Sequence, residues 1–273
     1  MSYYSRLPAL LVLIAVFPSA SSLKAEWNLG FRTGAETSKS IDEGLMEWPP
    51  IIFVETSGGA PQSESSEGLL WQNSVHSSSS TFASVDIEWS KAITPRFNAG
   101  AGASLEYARS HTVYDLTLCM LFISDEAIPL LSQSLECESS EYSPELFAHV
   151  EYRIYKGLKL SAAVGLGRTY MSYNDYDFIL KPIYDPLGLD YTGMGTSSNN
   201  SVSVIRTRLD LGLEYALNER WSLNAGYEQI LLGDYALTTR VFDVEEPGAY
   251  EQFGLPIKGT RSQRVYFGAS FRF

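Results

Sequence analysis

Cysteine and histidine are nearly absent: the chain of 273 residues holds two Cys, Cys119 and Cys137, and three His. That scarcity excludes a disulfide-dense scaffold and a zinc module, because His and Cys never cluster at ligand spacing. Basic residues are also in short supply, with 20 Lys and Arg against 32 Asp and Glu and a net charge of −12. Nothing supplies a basic face, so a nucleic-acid partner is excluded. No apolar run approaches the ~20 residues that a membrane-crossing helix needs. The 21 glycines are scattered through strand-like segments rather than gathered into a phosphate-binding loop, and no cofactor is expected.

What is present begins at the N-terminus. After Arg6 an apolar run extends from Leu7 to Phe17, interrupted only by Pro8, and the small-residue stretch Pro18-Ser19-Ala20-Ser21-Ser22 follows. This is the order of a secretory signal peptide. Residues 1–22 are expected to be removed, with cleavage after Ala20 or Ala25 as alternatives, and residues 23–273 to form one domain.

The rest of the chain reads as eight period-2 segments: 27–35, 81–89, 97–107, 146–154, 158–170, 205–217, 221–237 and 264–273. In residues 205–217, Ile205, Leu209, Leu211, Leu213, Tyr215 and Leu217 alternate with Arg206, Arg208, Asp210, Gly212 and Glu214. Alternation of this kind is a strand with one apolar face, and each segment is about long enough to cross a bilayer at a tilt. The connectors alternate too. Short turns fall at Ala92-Ile93-Thr94-Pro95, Lys156-Gly157 and Asn218-Glu219-Arg220, and long loops at 37–79, 109–143, 172–200 and 238–260. Short turns on one side and long loops on the other are the pattern of an outer-membrane barrel, whereas compact soluble domains seldom carry four long structureless loops.

Aromatic residues mark both ends of these segments. Trp27, Trp89, Phe97, Tyr152, Tyr215, Trp221 and Phe273 sit beside the turns, and Tyr107, Tyr170 and Tyr235 near the other end. Aromatic rings favour the membrane interface. Arg168 interrupts the apolar face of its segment roughly 25 Å above Leu158, at the height where an apolar band ends. The polar face mixes small residues with both signs of charge: Arg32, Asp86, Glu88, Glu106, Glu151, Arg153, Arg206, Arg208, Asp210, Glu214, Glu228, Arg264 and Arg272. Matched acids and bases are the expected filling of a narrow lumen, because an unpaired buried charge is costly.

The final strand runs Val265-Tyr266-Phe267-Gly268-Ala269-Ser270-Phe271-Arg272-Phe273. It resembles the closing strand that the outer-membrane assembly machinery recognises, with Phe267, Phe271 and Phe273 as its aromatic signal. With the export signal and strand pattern, the chain resembles the OmpA/OmpX-type, or opacity-like, outer-membrane barrels over nearly all of residues 23–273. The resemblance implies an all-β, eight-stranded antiparallel up-and-down transmembrane barrel with short periplasmic turns and long extracellular loops. It implies location in the outer membrane of a Gram-negative-type bacterium, contact with outer-membrane lipid and lipopolysaccharide, and no separate peptidoglycan-binding domain. It does not fix a function, since loops carry that.

Residues that could carry chemistry are few. His149 and Glu151 share a strand face, and Ser104 or Ser161 are candidates to approach them, but no paired motif fixes a nucleophile. The expected catalytic, cofactor and metal sets are therefore empty. Loop acids (Asp42, Glu43, Glu64, Glu67, Asp125, Glu126, Asp243, Glu245 and Glu246) lack calcium-loop spacing, and Ser77-Ser78-Ser79-Ser80 reads as a loop stem. In an exported protein two Cys usually pair, so a Cys119–Cys137 disulfide is expected within the second long loop. The apolar stretch from Leu116 to Leu135 needs cover as a short helix or hairpin, or as a patch for a partner. The functional expectation is a non-enzymatic surface barrel with an envelope-structural role or one in adhesion or ligand binding. A narrow passive channel and an outer-membrane lipid-modifying enzyme are the alternatives.

Overall fold

The computed structural model describes residues 25–41, 46–47, 69–121, 127–174, 177–182, 194–196, 200–242 and 250–273. The expected signal segment 1–22 and the nine loop acids named above lie outside the described residues. Among the described residues there is no helix long and apolar enough to cross a membrane.

Eight long strands form the wall: β1 (Ala25–Ser40), β2 (Leu69–Thr94), β3 (Phe97–Leu121), β4 (Ala127–Tyr155), β5 (Leu158–Asn174), β6 (Asn200–Ala216), β7 (Trp221–Leu232) and β8 (Thr260–Arg272). Each pairs antiparallel with the next, and β8 returns to β1 from Asn28↔Arg272 to Ser40↔Arg261. The sheet therefore closes on itself and leaves no wall edge with unpaired backbone groups, the condition for strands to stand in lipid.

Three tight turns at one end join β2 to β3, β4 to β5 and β6 to β7. Local chemistry sets each of them. The Thr94 hydroxyl accepts from the backbone N–H of Phe97 at 3.1 Å. Gly157 adopts φ 83°, where a side chain would be strained. The Asn218 side chain accepts from the N–H groups of Arg220 and Trp221 at 2.8 and 2.9 Å, an Asx turn.

Alternation along the strands sorts the side chains. Trp27, Phe31, Val85, Ile87, Leu105, Leu146, Val150, Leu160, Leu166, Leu209, Leu211, Leu213, Leu223, Val265 and Phe267 are exposed on the outer face. The inner face is buried and carries the charges. A soluble barrel would have the reverse arrangement, because water rather than lipid would bathe its outside. Trp27, Trp89, Tyr152, Tyr215, Trp221 and Phe273 are exposed at the turn end, and Tyr142 and Tyr170 are exposed at the far margin of the apolar belt. There the Tyr107 and Tyr142 rings meet at a tilt with centroids 5.0 Å apart, and the exposed Arg168 donates to the Ser203 hydroxyl at 3.4 Å.

Beyond that margin the structure departs from the expected loops. β3 continues to Leu121 and β4 begins at Ala127, so most of 109–143 is a paired hairpin, from Arg109↔Ser140 to Leu121↔Ala127. β2 begins at Leu69, which places Ser77 to Ser80 within a strand rather than a loop stem. Short strands Asp177–Pro182 and Met194–Thr196 pair within the third connector, and Tyr235–Phe242 pairs with Tyr250–Ile257 within the fourth. The expected strand 221–237 breaks after Leu232, and Tyr235 is buried rather than at the lipid margin.

The expected disulfide is also corrected. Cys137 is a free, buried thiol. Its register partner is Thr112, whereas Cys119 lies opposite Pro129. Thr112 and Cys119 are separated along β3 by roughly 23 Å at strand rise, and a disulfide needs its Cα atoms within about 7 Å.

Candidate functional site

The interior is filled in layers. At mid-barrel, Arg32 on β1 makes a two-pronged contact with Asp86 on β2 at 2.7 and 3.0 Å and reaches Asp210 on β6 at 2.8 Å. The Tyr266 hydroxyl donates to Asp210 at 2.8 Å, and its ring lies under the Arg32 guanidinium at 5.1 Å. Tyr266 fits because its neighbours on β6 and β7 are glycines: a Cβ at Gly212 or Gly226 would fall 2.6 or 2.5 Å from its hydroxyl.

Just above, Arg206 donates to both oxygens of Glu106 at 2.7 Å, and Arg264 donates to the same carboxylate at 2.6 Å. Arg208 pairs with Glu145 at 2.9 Å. Glu228 lies among Arg32, Arg264 and Arg208 at 3.6, 3.7 and 4.0 Å. The rings of Phe82 and Phe147 face Arg264 and Arg208 at 5.1 and 5.2 Å. Arg206 and Arg208 are 2% exposed and Glu228 is 0% exposed, so side chains pack closely across this layer among the described residues.

A hydroxyl-rich layer follows. Ser110 and Ser139 are 2.6 Å apart, and Ser110 donates to Glu141 at 2.9 Å. Ser143 meets Thr169 at 2.9 Å, and Ser262 and Ser78 both donate to Glu36. Above it the interior turns apolar. Tyr114, Cys137, Met171, Tyr173, Val204, Ile230 and Leu232 from the wall enclose Tyr235, Leu237 and Ile257 from the fourth connector. Leu237 and Ile257 are fully buried, so this hairpin caps the mouth. Burial pushes the Cys137 thiol up to about 12 and raises the hydroxyls of Tyr114, Tyr173 and Tyr235.

Outward apolar belt, aromatic margins and an ionic interior on a closed ring together decide the architecture. The protein has the fold of an eight-stranded outer-membrane barrel. No protein-family model matches the chain, and no curated protein matches it. Among solved structures, the outer membrane protease OmpT from Escherichia coli is 10% identical, with a TM-score of 0.48, covering 93% of this chain and 100% of that one. Neisserial surface protein A is 14% identical, with a TM-score of 0.38 and coverage of 92% and 99%. Ail, the attachment invasion locus protein of Yersinia pestis, is 11% identical, with a TM-score of 0.35 and the same two coverages, in complex with the heparin analogue sucrose octasulfate.

Of the residues expected on the polar face, the barrel brings Arg32, Asp86, Glu106, Arg206, Arg208, Asp210, Glu228 and Arg264 into the ionic layers. Glu151 and Glu214 lie nearer the turns, both paired with Lys159 at 3.0 and 3.2 Å. Glu88 is half-buried in that same region. Arg153 is exposed at the turn end, and Arg272 pairs with Glu26 at 3.3 Å, away from both ionic layers.

The polar-face reading missed Glu145, one residue before its expected strand, and Lys159, Phe82, Phe147 and Tyr266 as network partners. Both ring nitrogens of His149 lack a hydrogen-bond partner, so neither Ser104 nor Ser161 is paired with it as a nucleophile. His149, Glu88 and Glu151 do converge, with one ligand atom of each lying within 4.8 Å of the other two. Phe267 and Phe273 are exposed on the outer face, and Phe271 packs between Trp221 at 5.0 Å and Phe273 at 6.1 Å.

Proposed function

We propose that the protein is a non-enzymatic integral outer-membrane barrel that works through its extracellular face, as an envelope-structural element and a surface for ligand binding or adhesion. The observation that carries this reading is the sealed interior: Arg206, Arg208, Glu228, Leu237 and Ile257 are each at most 2% exposed. Side chains packed across the interior at two levels oppose the passage of solute, so what it offers to partners lies outside. The strand pairing of β3 and β4 past Tyr107 and Tyr142 supplies a stiff projection for that purpose.

In this reading residues 1–22 direct export, Phe267, Phe271 and Phe273 engage the assembly machinery, and the outer belt meets lipid and lipopolysaccharide. The test is conductance. Purified folded protein in planar bilayers should give no stable steps. It should remain silent when residues 235–257 are replaced by a short linker, because the ionic layer stays closed. Large stable steps from the intact protein would overturn the reading in favour of a channel.

A further inference from the structure

We propose that Glu88, His149 and Glu151 form a binding site for one divalent transition-metal ion of the zinc class inside the turn end of the barrel. Glu88 stands on β2, and His149 and Glu151 on β4, with β3 between them. The register shows why they can meet across an intervening strand. Glu88 lies opposite Gly102 and His149 opposite Gly100. A Cβ at Gly100 would fall 2.9 Å from the His149 Nε2. Gly100 therefore leaves the space that the His149 ring occupies, while the space beside Gly102 is taken by the Phe147 ring.

The three ligand atoms lie within 4.8 Å of one another. Ligand atoms on a tetrahedral zinc ion are roughly 3.4 Å apart, given metal–ligand bonds near 2.0–2.1 Å, so closing on the ion takes shifts of about an ångström. Glu88 can supply that movement, since it is half-buried and no ion pair or hydrogen bond holds it among the described residues.

Two independent observations point to a missing cation. His149 is 7% exposed, and both its ring nitrogens are buried without a partner. A buried imidazole with no hydrogen bond is costly unless something occupies its lone pair. The layer is also short of positive charge. Lys159 bonds to Glu151 at 3.0 Å and to Glu214 at 3.2 Å, and no ion pair reaches Glu88 among the described residues. Asn98 also donates to Glu151, at 2.9 Å. Arg32, the next cation along the lumen, is held by Asp86 and Asp210. Lys159 is thus shared by two carboxylates, and Glu88 is left without a bonded cation among the described residues.

An imidazole nitrogen beside two carboxylates suits zinc and its neighbours, with water completing the shell. The ion would tie β2 to β4 across β3, a link that sequence spacing could not show because the ligands come from distant strands.

The test is zinc titration calorimetry on the full folded chain in detergent, with cobalt absorbance as a second readout. The background carries His76→Ala and His111→Ala, which removes the exposed His76–Asp115 and His111–Glu136 pairs as competing sites. One tight site per chain is expected, with cobalt bands of a mixed nitrogen and oxygen site. Glu88→Gln leaves the Lys159 pairs intact and should weaken zinc at least tenfold, as should His149→Gln, with heat-modifiable gel mobility showing that each variant is folded. If His149→Gln does not fold, Glu88→Gln alone decides. Absence of zinc binding, or equal affinity in the parent and Glu88→Gln, would overturn the proposal and leave water as the partner of His149.

Discussion

At the scale of single residues, position within the wall sets the cost of a charge. Leu211 is 59% exposed on the outer face, midway along the belt, and its neighbours Asp210 and Gly212 point inward. Leu211→Arg should destabilise the folded barrel by roughly 2–4 kcal/mol, the penalty for a base on the lipid face near the midplane. Urea unfolding followed by gel mobility would measure it, and a cost below half a kcal/mol would put residue 211 in water. Inside, the pairing of the network decides which substitutions matter. Glu106 takes three hydrogen bonds from Arg206 and Arg264, so Glu106→Gln leaves two buried guanidinium groups short of charge. A loss of about 3–5 kcal/mol is expected, as for other broken buried pairs. Arg208→Leu should act through Glu145 and Glu228, its partners at 2.9 and 4.0 Å, and not through Glu106. Cys137 is buried and unpaired, so reducing and non-reducing gels should show the same mobility. Both thiols should label after unfolding without reductant.

At the scale of elements, the membrane-crossing strands were legible because lipid outside and charge inside impose a period of two. The three tight turns were legible from Gly157, Asn218 and their neighbours. The upper strands were not. In the stretch from Leu116 to Leu135 apolar residues run together, and without alternation a strand cannot be told from a folded loop. The hairpin 235–257 was hidden differently: the period-2 reading of 221–237 ran through Gly233 and Asp234, which end β7 after Leu232 and leave Tyr235 buried. The Cys pairing failed for a related reason: export makes a disulfide common, but geometry decides, and the hairpin separates the two positions.

The cap has its own signature with pH. The Cys137 thiol titrates near 9.0 when exposed and is pushed up to about 12 by burial. Between those values the folded state holds a proton that the opened state releases, so this contribution to the cap is complete below pH 9 and is lost as pH rises. The raised tyrosines act in the same direction. Alkylation of Cys137 in folded protein should be negligible at pH 8 and accelerate above pH 10; rapid labelling at pH 8 would contradict a closed cap. Leu237→Ala should cost the cap about 2–5 kcal/mol, read as faster proteolysis of residues 235–257 with the membrane-embedded strands still protected.

For the whole molecule, the architecture follows from one closed ring whose two faces differ in kind. Small inward residues such as Gly212 and Gly226 leave room for Tyr266, and the buried arginines and carboxylates fill what remains. That filling packs the interior of a narrow barrel with side chains among the described residues. All of this depends on which face meets lipid. The most direct test places single cysteines at 210 and at 211, with Cys119 and Cys137 replaced by serine, and labels each with a fluorophore in lipid vesicles containing a quencher confined to the acyl region. Quenching at 211 and protection at 210 is the predicted result. Protection at 211 with quenching at 210 would mean that the ionic face is outermost, and the membrane-barrel account would be wrong.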